Sequence, residues 1–341
     1  MQSLRSKYIF SSDVTASWVN DGASTKIKSQ VSQYTKERVA CFCGENAGVL
    51  IYDHDRYGLP IKFLLCCGCG TVRVQDQIIE TDLEKFYREH YRDLYFNMRI
   101  PNDELINGEQ RPRGRKIIRI LSNLSVELKN KKVLEIGAGA AGILDEFRKL
   151  GAHTTALEPD NEYANYIRED GQHKIINDFL NDKTVKKFNG ERYDVIILSH
   201  VLEHISSPVL FLNLVTKLMD ENGVLYIEVP SLHNIGDISN KLLDFFHIGH
   251  PWAFNKQSLK WACNEAYLTD IHIDKSIHGV FKKTQHKRSI KLSWYKPILI
   301  LLICCDILAR LNLLGFRRKF LKSIADSLPI KFKSYLKKML Q

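Results

Sequence analysis

The stretch Val133-Leu134-Glu135-Ile136-Gly137-Ala138-Gly139-Ala140-Ala141-Gly142 decides the fold of this chain. A short apolar run precedes a G-x-G-x-x-G turn, and a helical pattern, GILDEFRKLG, follows it. In such a turn the first glycine permits the tight bend, the second lets backbone approach a ligand, and the third lets the helix pack closely on the strand. Because the turn lies between a strand and a helix, it predicts a site for a nucleoside-containing ligand, with a purely structural turn as the alternative.

The segments after this turn alternate between apolar strands and amphipathic helices. The predicted strands are TTALEP (154–159), YDVIILSH (193–200) and GVLYIEVP (223–230), and PVLFLNLVTKLMDENG (208–223) is a predicted helix. Strands separated by helices of about 10 to 15 residues are typical of an α/β fold with a doubly wound, mostly parallel, Rossmann-like sheet. We place this domain at residues 129–281, after an irregular lead-in (1–38), a cysteine-rich segment (39–79) and a helical connector (80–128).

Acidic residues around the turn indicate which nucleoside it binds. Glu158 ends the next strand, 21 residues beyond Gly137, where it could accept hydrogen bonds from ribose hydroxyls. NAD and S-adenosylmethionine both fit that geometry. Glu135 favours S-adenosylmethionine, because a carboxylate there suits the amino group of a methionyl moiety and suits a pyrophosphate poorly. Asp178 could accept from the adenine amino group with Phe179 stacking beside it, although Asp178 could instead be a helix N-cap.

Several motifs in order carry a resemblance to a known family. With E-x-G-x-G (135–139), Glu158-Pro159, Asp178-Phe179 and SHVLEHISSP (199–208), the chain resembles the class I S-adenosylmethionine-dependent methyltransferases over about residues 115–275. The resemblance is to the bacterial subfamily in which "LEH" follows the fourth strand, and it implies methyl transfer at the carboxyl ends of the strands. The implied cofactor-binding residues are Glu135, Gly137, Ala138, Gly139, Gly142, Glu158, Asp178, Phe179 and Ser199.

Five of the eight cysteines lie between Cys41 and Cys69. They form two glycine-flanked knuckles, Cys41-x-Cys43 and Cys66-Cys67-x-Cys69, as a tetrahedral zinc ribbon requires. We predict a structural zinc ion held by Cys41, Cys43, Cys66 and Cys69. The first knuckle has alanine at position 40 where the common pattern has cysteine, so Cys67 or His54 could substitute as a ligand. A ribbon that has lost its metal is the alternative.

The cysteine ribbon continues into DRYGLPIKFLLCCGCGTVRV (55–74) and is followed by FYREHYRDLY (86–95). With the later domain, over residues 39–275, this pattern resembles methyltransferases encoded with bacterial surface-polysaccharide genes and the sugar-nucleotide C-methyltransferases, which share the ribbon. That resemblance implies a sugar acceptor, as a nucleotide sugar or within a growing, lipid-linked or surface glycan. Three other functions stay open: small-molecule or lipid-precursor methylation as in quinone pathways, an inactive cofactor-binding partner protein, and a dehydrogenase.

Methyl transfer to a hydroxyl group needs a proton acceptor, and histidine suits that role near neutral pH. The stretch DFFHIGHPWAF (244–254) resembles a Tyr-His-Glu-His stretch of the sugar C-methyltransferases, which implies His250 as the base. His204 matches a second catalytic histidine of that group. Because Gly249 replaces the glutamate, we expect O-methylation rather than C-methylation. His200 and His247 are further candidates, each histidine could instead make a structural hydrogen bond, and His-x-x-His lacks an evident third metal ligand.

The formal net charge of +10 is concentrated at the end of the chain. Residues 282–341 hold 15 Lys and Arg against 2 Asp and Glu, so the body is slightly acidic and a nucleic-acid partner is not expected. This basic, helical, amphipathic tail could lie on an anionic membrane or pack on the body. Its longest apolar run, Pro297–Cys305, is too short for a span of about 20 residues. With no signal-like apolar N-terminus and with clustered cysteines, we expect a cytoplasmic protein, with the tail as a possible contact to the inner membrane face.

Overall fold

The computed structural model describes residues 31–89, 100–232 and 242–292, together with Ser29, Ile298, Leu299 and Leu302. Most of the predicted lead-in and most of the predicted basic tail therefore lie outside the described residues.

The centre of the chain forms a seven-stranded sheet. Its strands are β6 (Lys132–Ile136), β7 (His153–Leu157), β8 (Lys174–Ile176), β9 (Tyr193–Ser199), β10 (Met219–Glu228), β12 (Leu268–Ile273) and β13 (His278–Lys283). They lie in the order β12-β13-β10-β9-β6-β7-β8, and five neighbouring strands run parallel, which confirms the predicted mostly parallel sheet. Strand order reverses between β6 and β9, and ligands of open α/β sheets bind beyond the carboxyl ends of the strands at such a point.

One edge of the sheet differs from the sequence prediction. β12 and β13 form an antiparallel hairpin on β10 that the sequence analysis did not identify, and β13 continues past the predicted boundary at residue 281. The helix predicted to end at Gly223 ends at Leu218, because the chain pairs with β9 from Met219 onward. The strand pairing shifts register between Met219 and Val224, so the intervening residues 220–223 (DENG), which had suggested a helix end, are not paired with β9.

Helices cover both faces of the sheet, because alternate strand residues point to opposite sides. The helices are α1 (Glu80–Glu89), α2 (Arg111–Asn123), α3 (Gly142–Lys149), α4 (Asn161–Asp170), α5 (Asp182–Lys187), α6 (Pro208–Leu218) and α7 (Lys256–Glu265). On β6, Val133 packs in the core beneath α2, α3 and α4, whereas Leu134 and Ile136 pack in the core beneath α6 and α7. A π-helical segment, Glu104–Gln110, leads into α2.

The cysteine-rich segment forms a second, antiparallel sheet in the order β11-β4-β3-β2. We call residues 36–78 the ribbon module. Its strands are β1 (Lys36–Arg38), β2 (Gly48–Tyr52), β3 (Phe63–Cys66), β4 (Val72–Val74) and β5 (Asp76–Ile78), with β1 paired to β5. β11 (Trp252–Ala253) comes from far along the chain and pairs with β4. The ribbon module and the α/β domain therefore share one sheet rather than meeting only at a linker.

The start of the predicted tail belongs to the core of the ribbon module. Ile298 and Leu302, four residues apart, are fully buried and pack in one cluster with Phe63 and Phe246. This spacing places both side chains on one helical face. For these residues the structure supports a cap packed on the body. Within the part of the chain that the structure describes, no helix is both long and apolar enough to cross a bilayer.

Candidate active site

A cavity of about 470 Å³ opens at the carboxyl ends of β6, β7 and β9. Its lining falls into two halves, which we name from their residues. The cofactor half contains Gly137, Gly139, Glu158, Asp178 and Phe179, and the acceptor half contains Arg56, Tyr87, His200, His204, His247 and His250. All the predicted cofactor-binding residues except Glu135, Ala138 and Gly142 line this one cavity, as do all four candidate histidines.

The glycine turn shapes the cofactor half through its backbone. Gly137 and Gly139 have φ of 72° and 57°, in the left-handed region that favours glycine. A Cβ on Gly137 would lie 2.8 Å from a methyl carbon of Val201. Gly142 does not line the cavity. A Cβ there would lie 2.9 Å from Cβ of Gln110, so the third glycine lets α3 approach the helix before it, rather than the strand as predicted.

Glu158 fixes the turn that it faces. Its side chain is buried, Oε2 accepts a hydrogen bond from Gly139 N at 2.7 Å, and Oε1 accepts from Asp160 N at 3.0 Å. A carboxylate has about four acceptor sites, so it can still accept hydrogen bonds from ligand hydroxyls. The residue predicted to bind ribose therefore also holds the backbone of the glycine turn.

Glu135 is buried behind the cavity lining, and its Oε2 has no hydrogen-bond partner among the described residues. Burial raises the pKa of Glu135 well above its ordinary value, against the opposing charge of Arg113. An unsatisfied buried carboxylate is costly, and a nearby ligand ammonium group would relieve that cost. Arg113 itself lines the cavity, although the sequence analysis did not identify it.

Asp178 and Phe179 lie at the far end of the cofactor half. Asp178 accepts hydrogen bonds from Lys187 Nζ at 2.7 Å and from Phe179 N at 2.8 Å. Burial opposes ionisation, but these hydrogen bonds and charges lower the pKa of Asp178 overall. The N-cap alternative for Asp178 is wrong, because Asn181 caps α5. Arg88 of α1 lies over the Phe179 ring, 4.8 Å from its centre.

In the acceptor half, two side chains converge on the carbonyl oxygen of Gly249. His204 Nδ1 lies 2.6 Å from that oxygen, and Tyr87 donates to it from its hydroxyl at 2.8 Å. A carbonyl can only accept, so the contact with Gly249 O favours the tautomer of His204 that carries its proton on Nδ1. The Tyr87 hydroxyl lies 2.8 Å from the same nitrogen. Through this carbonyl the loop favours one tautomer of His204.

His247 and His250 lie beside His204. The His250 ring is centred 3.8 Å from that of His247 and 4.6 Å from that of His204. Burial, followed by the charges of neighbouring histidines and Arg56, lowers the pKa of both His247 and His250 well below its ordinary value. Both rings are therefore neutral near pH 7 and resist protonation.

The fourth histidine of this half, His200, sits at the left-handed φ of 56°. Its Nδ1 lies 3.1 Å from Glu203 Oε1, and its Nε2 lies 3.8 Å from Glu228 Oε1. Glu203 also lies close to His204 and His250, and each of the three residues has one potential metal-ligating atom within 4.8 Å of those of the other two. Glu203 is therefore the third potential metal ligand that was not evident from the sequence. His247 does not join that set.

Comparisons with known proteins bear on the same part of the chain. A ubiquinone biosynthesis O-methyltransferase of Rhodopseudomonas palustris (strain TIE-1) is 30% identical over 115 residues, covering 33% of this chain and 45% of the relative. One of Actinobacillus pleuropneumoniae serotype 7 (strain AP76) is 28% identical over 105 residues, covering 28% and 44%. The chain thus spans less than half the length of the curated relatives it matches.

The solved structures that are similar to this chain include the 1,6-didemethyltoxoflavin-N1-methyltransferase of Burkholderia thailandensis with bound S-adenosylhomocysteine. It is 15% identical in sequence, has a TM-score of 0.46, and the similarity covers 66% of this chain and 96% of that one. The model of a family described as a methyltransferase domain matches residues 108–273. Residues 108–273 are therefore similar to a methyltransferase domain. The match includes the glycine turn and the "LEH" segment, and it leaves out the ribbon module and the whole of α1.

The four predicted zinc ligands lie together outside the methyltransferase domain's cavity. The sulfur of Cys41 is 3.5 Å from that of Cys69, and the sulfur of Cys43 is 3.6 Å from that of Cys66. Tetrahedral zinc with Zn–S bonds of about 2.3 Å needs sulfurs about 3.8 Å apart, so the set fits the ion. Neither Cys67 nor His54 belongs to the described group, and His54 instead contacts Asp53.

The cysteine cluster packs directly on the segment that follows the acceptor-half loop. Phe42, within the first knuckle, has its ring 5.0 Å from that of Trp252 and 5.6 Å from that of Phe254. Asn255 donates from its side chain to the carbonyl oxygen of Cys69 at 2.9 Å. The cluster therefore anchors the chain immediately after His250.

Proposed function

We propose that the protein is an S-adenosylmethionine-dependent methyltransferase that methylates a sugar hydroxyl, in a nucleotide sugar or in a lipid-linked or surface glycan. The observation that carries the proposal is one continuous cavity. It joins a glycine turn and buried acids, suited to the cofactor, to a histidine whose favoured tautomer can accept a proton. The sugar acceptor rests on the resemblance of residues 39–275, the ribbon module with the later domain, to sugar methyltransferases.

The cofactor half, together with Arg113 in the same lining and Glu135 buried behind it, offers a group for each part of S-adenosylmethionine. Glu158 would accept from the ribose hydroxyls, and Asp178 and Phe179 would hold the adenine. Glu135 with its unpaired Oε2 would receive the amino group, and Arg113 would receive the carboxylate. When bound, the cofactor supplies an electrophilic methyl group. A calorimetric titration should show binding of S-adenosylhomocysteine and none of NAD, and the opposite result would favour a dehydrogenase.

His204 is the proposed base. Its Nε2 would take the proton from the acceptor hydroxyl, while the Gly249 carbonyl favours a proton on the other nitrogen. His250, which the sequence analysis placed first, is a poorer proton acceptor because burial disfavours its charged form. We therefore assign His250 to positioning the His204 ring.

The test of the acceptor class compares surface glycans, by mass spectrometry, from cells with and without the gene. The proposal expects loss of one CH₂ per methylated repeat and its return on complementation. Unchanged glycans and unchanged nucleotide sugars would contradict a sugar acceptor.

A second candidate is O-methylation of a quinone precursor, because the curated relatives named above are ubiquinone biosynthesis enzymes. Lipid extracts of the same cells distinguish the two. Accumulation of an undermethylated quinone precursor with unchanged glycans would favour this second function, and the reverse result would exclude it. If the protein binds S-adenosylhomocysteine and neither pool changes, a cofactor-binding partner without activity becomes the better explanation.

The cysteine cluster is proposed to hold one structural zinc ion. Four thiolates this close repel one another, and a divalent cation compensates that repulsion. Elemental analysis should find about one zinc per chain, and Cys66→Ser should lower both zinc content and thermal stability. Cys67→Ser, at a neighbouring position outside the group, should keep the zinc. If Cys66→Ser changes neither quantity, the ribbon has lost its metal.

Basic residues beyond Leu302 are proposed to contact an anionic membrane surface, where a lipid-linked acceptor would be found. Co-sedimentation with vesicles that contain phosphatidylglycerol should exceed that with neutral vesicles. Equal sedimentation with both would remove the proposed membrane contact.

A further inference from the structure

The turn at residues 55–59 of the ribbon module is built around a buried carboxylate. Asp55 is fully buried, and its Oδ1 accepts from Tyr57 N and Leu59 N, each at 2.9 Å. Gly58, at φ of 73°, closes the turn by donating to Asp55 O. A turn fixed by this many hydrogen bonds holds Arg56 in a defined place.

The same turn is bound to the loop that carries His247 and His250. Arg56 N donates to Phe246 O at 3.0 Å, and Ile248 N donates to Asp55 Oδ2 at 3.3 Å. The Tyr57 ring meets the His247 ring edge-on, with centres 6.5 Å apart. Residues nearly 200 positions apart in the chain therefore form one wall of the acceptor half.

Arg56 brings a permanent positive charge to this wall. Its side chain lines the cavity, its guanidinium donates to the Tyr57 hydroxyl at 2.6 Å, and its charge acts on both His247 and His250. Burial keeps the neighbouring imidazoles of His247 and His250 neutral by lowering the pKa of each, and a neutral imidazole still offers one N–H donor.

We propose that Arg56 binds an anionic group of the methyl acceptor, a phosphate or a carboxylate attached to the sugar. Guanidinium groups match both anions with paired, charge-assisted hydrogen bonds. This inference rests on the proposed function, because it names the acceptor class of the same cavity. It also gives the ribbon module a role in the site: the module supplies the residue that selects a charged acceptor over a neutral one.

The experiment titrates the full chain, saturated with S-adenosylhomocysteine, with three probes in a calorimeter: uridine diphosphate, glucuronate and glucose. We expect one of the two anions to bind and glucose not to bind. Binding of uridine diphosphate would identify a nucleotide-sugar phosphate, and binding of glucuronate would identify a sugar carboxylate. Arg56→Gln should weaken binding of that anion by about 10- to 100-fold and leave the affinity for S-adenosylhomocysteine unchanged.

Two further variants keep the result interpretable. Arg56→Lys keeps the positive charge but cannot make two parallel hydrogen bonds, so it should lose part of the affinity for the anion. If Arg56→Gln does not fold, this partial loss of affinity tests the proposal in its place. Arg38→Gln removes an equal charge from an exposed position in the same module and should bind the anion normally. Absence of anion binding to the unaltered protein, or normal binding by both Arg56 variants, would overturn the inference. Failure of the unaltered protein to bind S-adenosylhomocysteine would instead overturn the proposed function.

Discussion

The two halves of the cavity are assembled in different ways. The cofactor half comes from consecutive strand ends of one domain, with Gly137, Glu158 and Asp178 following β6, β7 and β8. The acceptor half draws Arg56 from the ribbon module and Tyr87 from α1, and adds histidines from two separate loops. Parallel strands bring successive turns to one edge by topology alone. Only tertiary packing brings the acceptor-half residues together.

That difference predicts how the two halves respond to change. A substitution in the acceptor half should alter turnover or acceptor binding and leave cofactor affinity intact. A substitution in the cofactor half should do the reverse.

The largest effect is expected at the proposed base. His204→Ala removes the proton acceptor, so turnover with the identified acceptor should fall by about 10²- to 10⁴-fold. The affinity for S-adenosylhomocysteine, measured by calorimetry, should stay within error of the unaltered protein. Stopped or quenched-flow assays at saturating cofactor give the turnover.

His250→Ala is the matched comparison for that prediction, since its ring is adjacent. We expect a smaller fall, because His250 orients His204 without accepting the proton. A greater loss in His250→Ala than in His204→Ala would return the base to the loop, as the sequence analysis first placed it.

The next largest effect concerns the core that supports the acceptor half. Leu302 is fully buried among the apolar residues of the ribbon module, so Leu302→Ala should lower the free energy of unfolding by about 2–5 kcal/mol. Urea denaturation measures this loss. Leu210→Ala, at a side chain that is 67% exposed, should change it by less than about 0.5 kcal/mol. A negligible loss in Leu302→Ala would mean that the tail does not pack on the body.

Local motifs explain why the cofactor half could be predicted. The glycine turn, Glu158 and Asp178 each follow a strand that is recognisable from its own apolar run, and the sheet order then follows from alternation of strands and helices. The same reasoning failed for the β12–β13 hairpin, whose strands carry as many polar as apolar residues and border the sheet edge. It also extended the helix α6 into residues that instead belong to β10.

The acceptor half gave much weaker signals in sequence. Arg56 and Tyr87 lie in the stretches DRYGLP (55–60) and FYREHY (86–91) that contribute to the resemblance, but no role was predicted for either residue. Nothing local to them shows that β11 pairs with β4 and so brings the ribbon module to the histidine loop. The four cysteines were predictable because a metal cluster leaves a spacing pattern. The shared carbonyl of Gly249, which favours one tautomer of His204, is a backbone group and leaves no trace in the sequence.

In the cofactor half, Glu158→Ala should weaken S-adenosylhomocysteine binding by about 1–3 kcal/mol, because it leaves ribose hydroxyls and the Gly139 amide without an acceptor. Calorimetry measures the loss. Glu162→Ala, an exposed acid in the first turn of α4, is the control of equal charge and should bind normally. Unchanged affinity in Glu158→Ala would place the nucleoside elsewhere in the cavity.

The smallest effect is expected behind the cavity, where His278 joins the edge hairpin to Glu228. Burial disfavours its charge, but hydrogen bonds to Asp274 and Glu228 outweigh burial and raise the pKa of His278 to about 9. A raised pKa stabilises the folded state below about pH 6.5, and that stabilisation is lost as the pH rises through about 9.

The ammonium of Lys116, 2.6 Å from His278 Nε2, repels the charged ring and reduces the effect. One pKa unit corresponds to about 1.4 kcal/mol, so a full shift would give about 3 kcal/mol, and we expect about 1–2 kcal/mol with this repulsion. Urea denaturation of the unaltered protein and of His278→Gln, at pH 6.5 and pH 9.5, isolates the contribution of His278 to the free energy of unfolding.

The difference in the free energy of unfolding between the two proteins should shrink at the higher pH, while S-adenosylhomocysteine affinity changes little in either. A difference that grows with pH would mean that His278 is neutral in the folded state and accepts a hydrogen bond from Lys116. In that case Glu228 would owe its ionised state to Arg113 and His200, and the edge hairpin would be electrostatically coupled to the acceptor half.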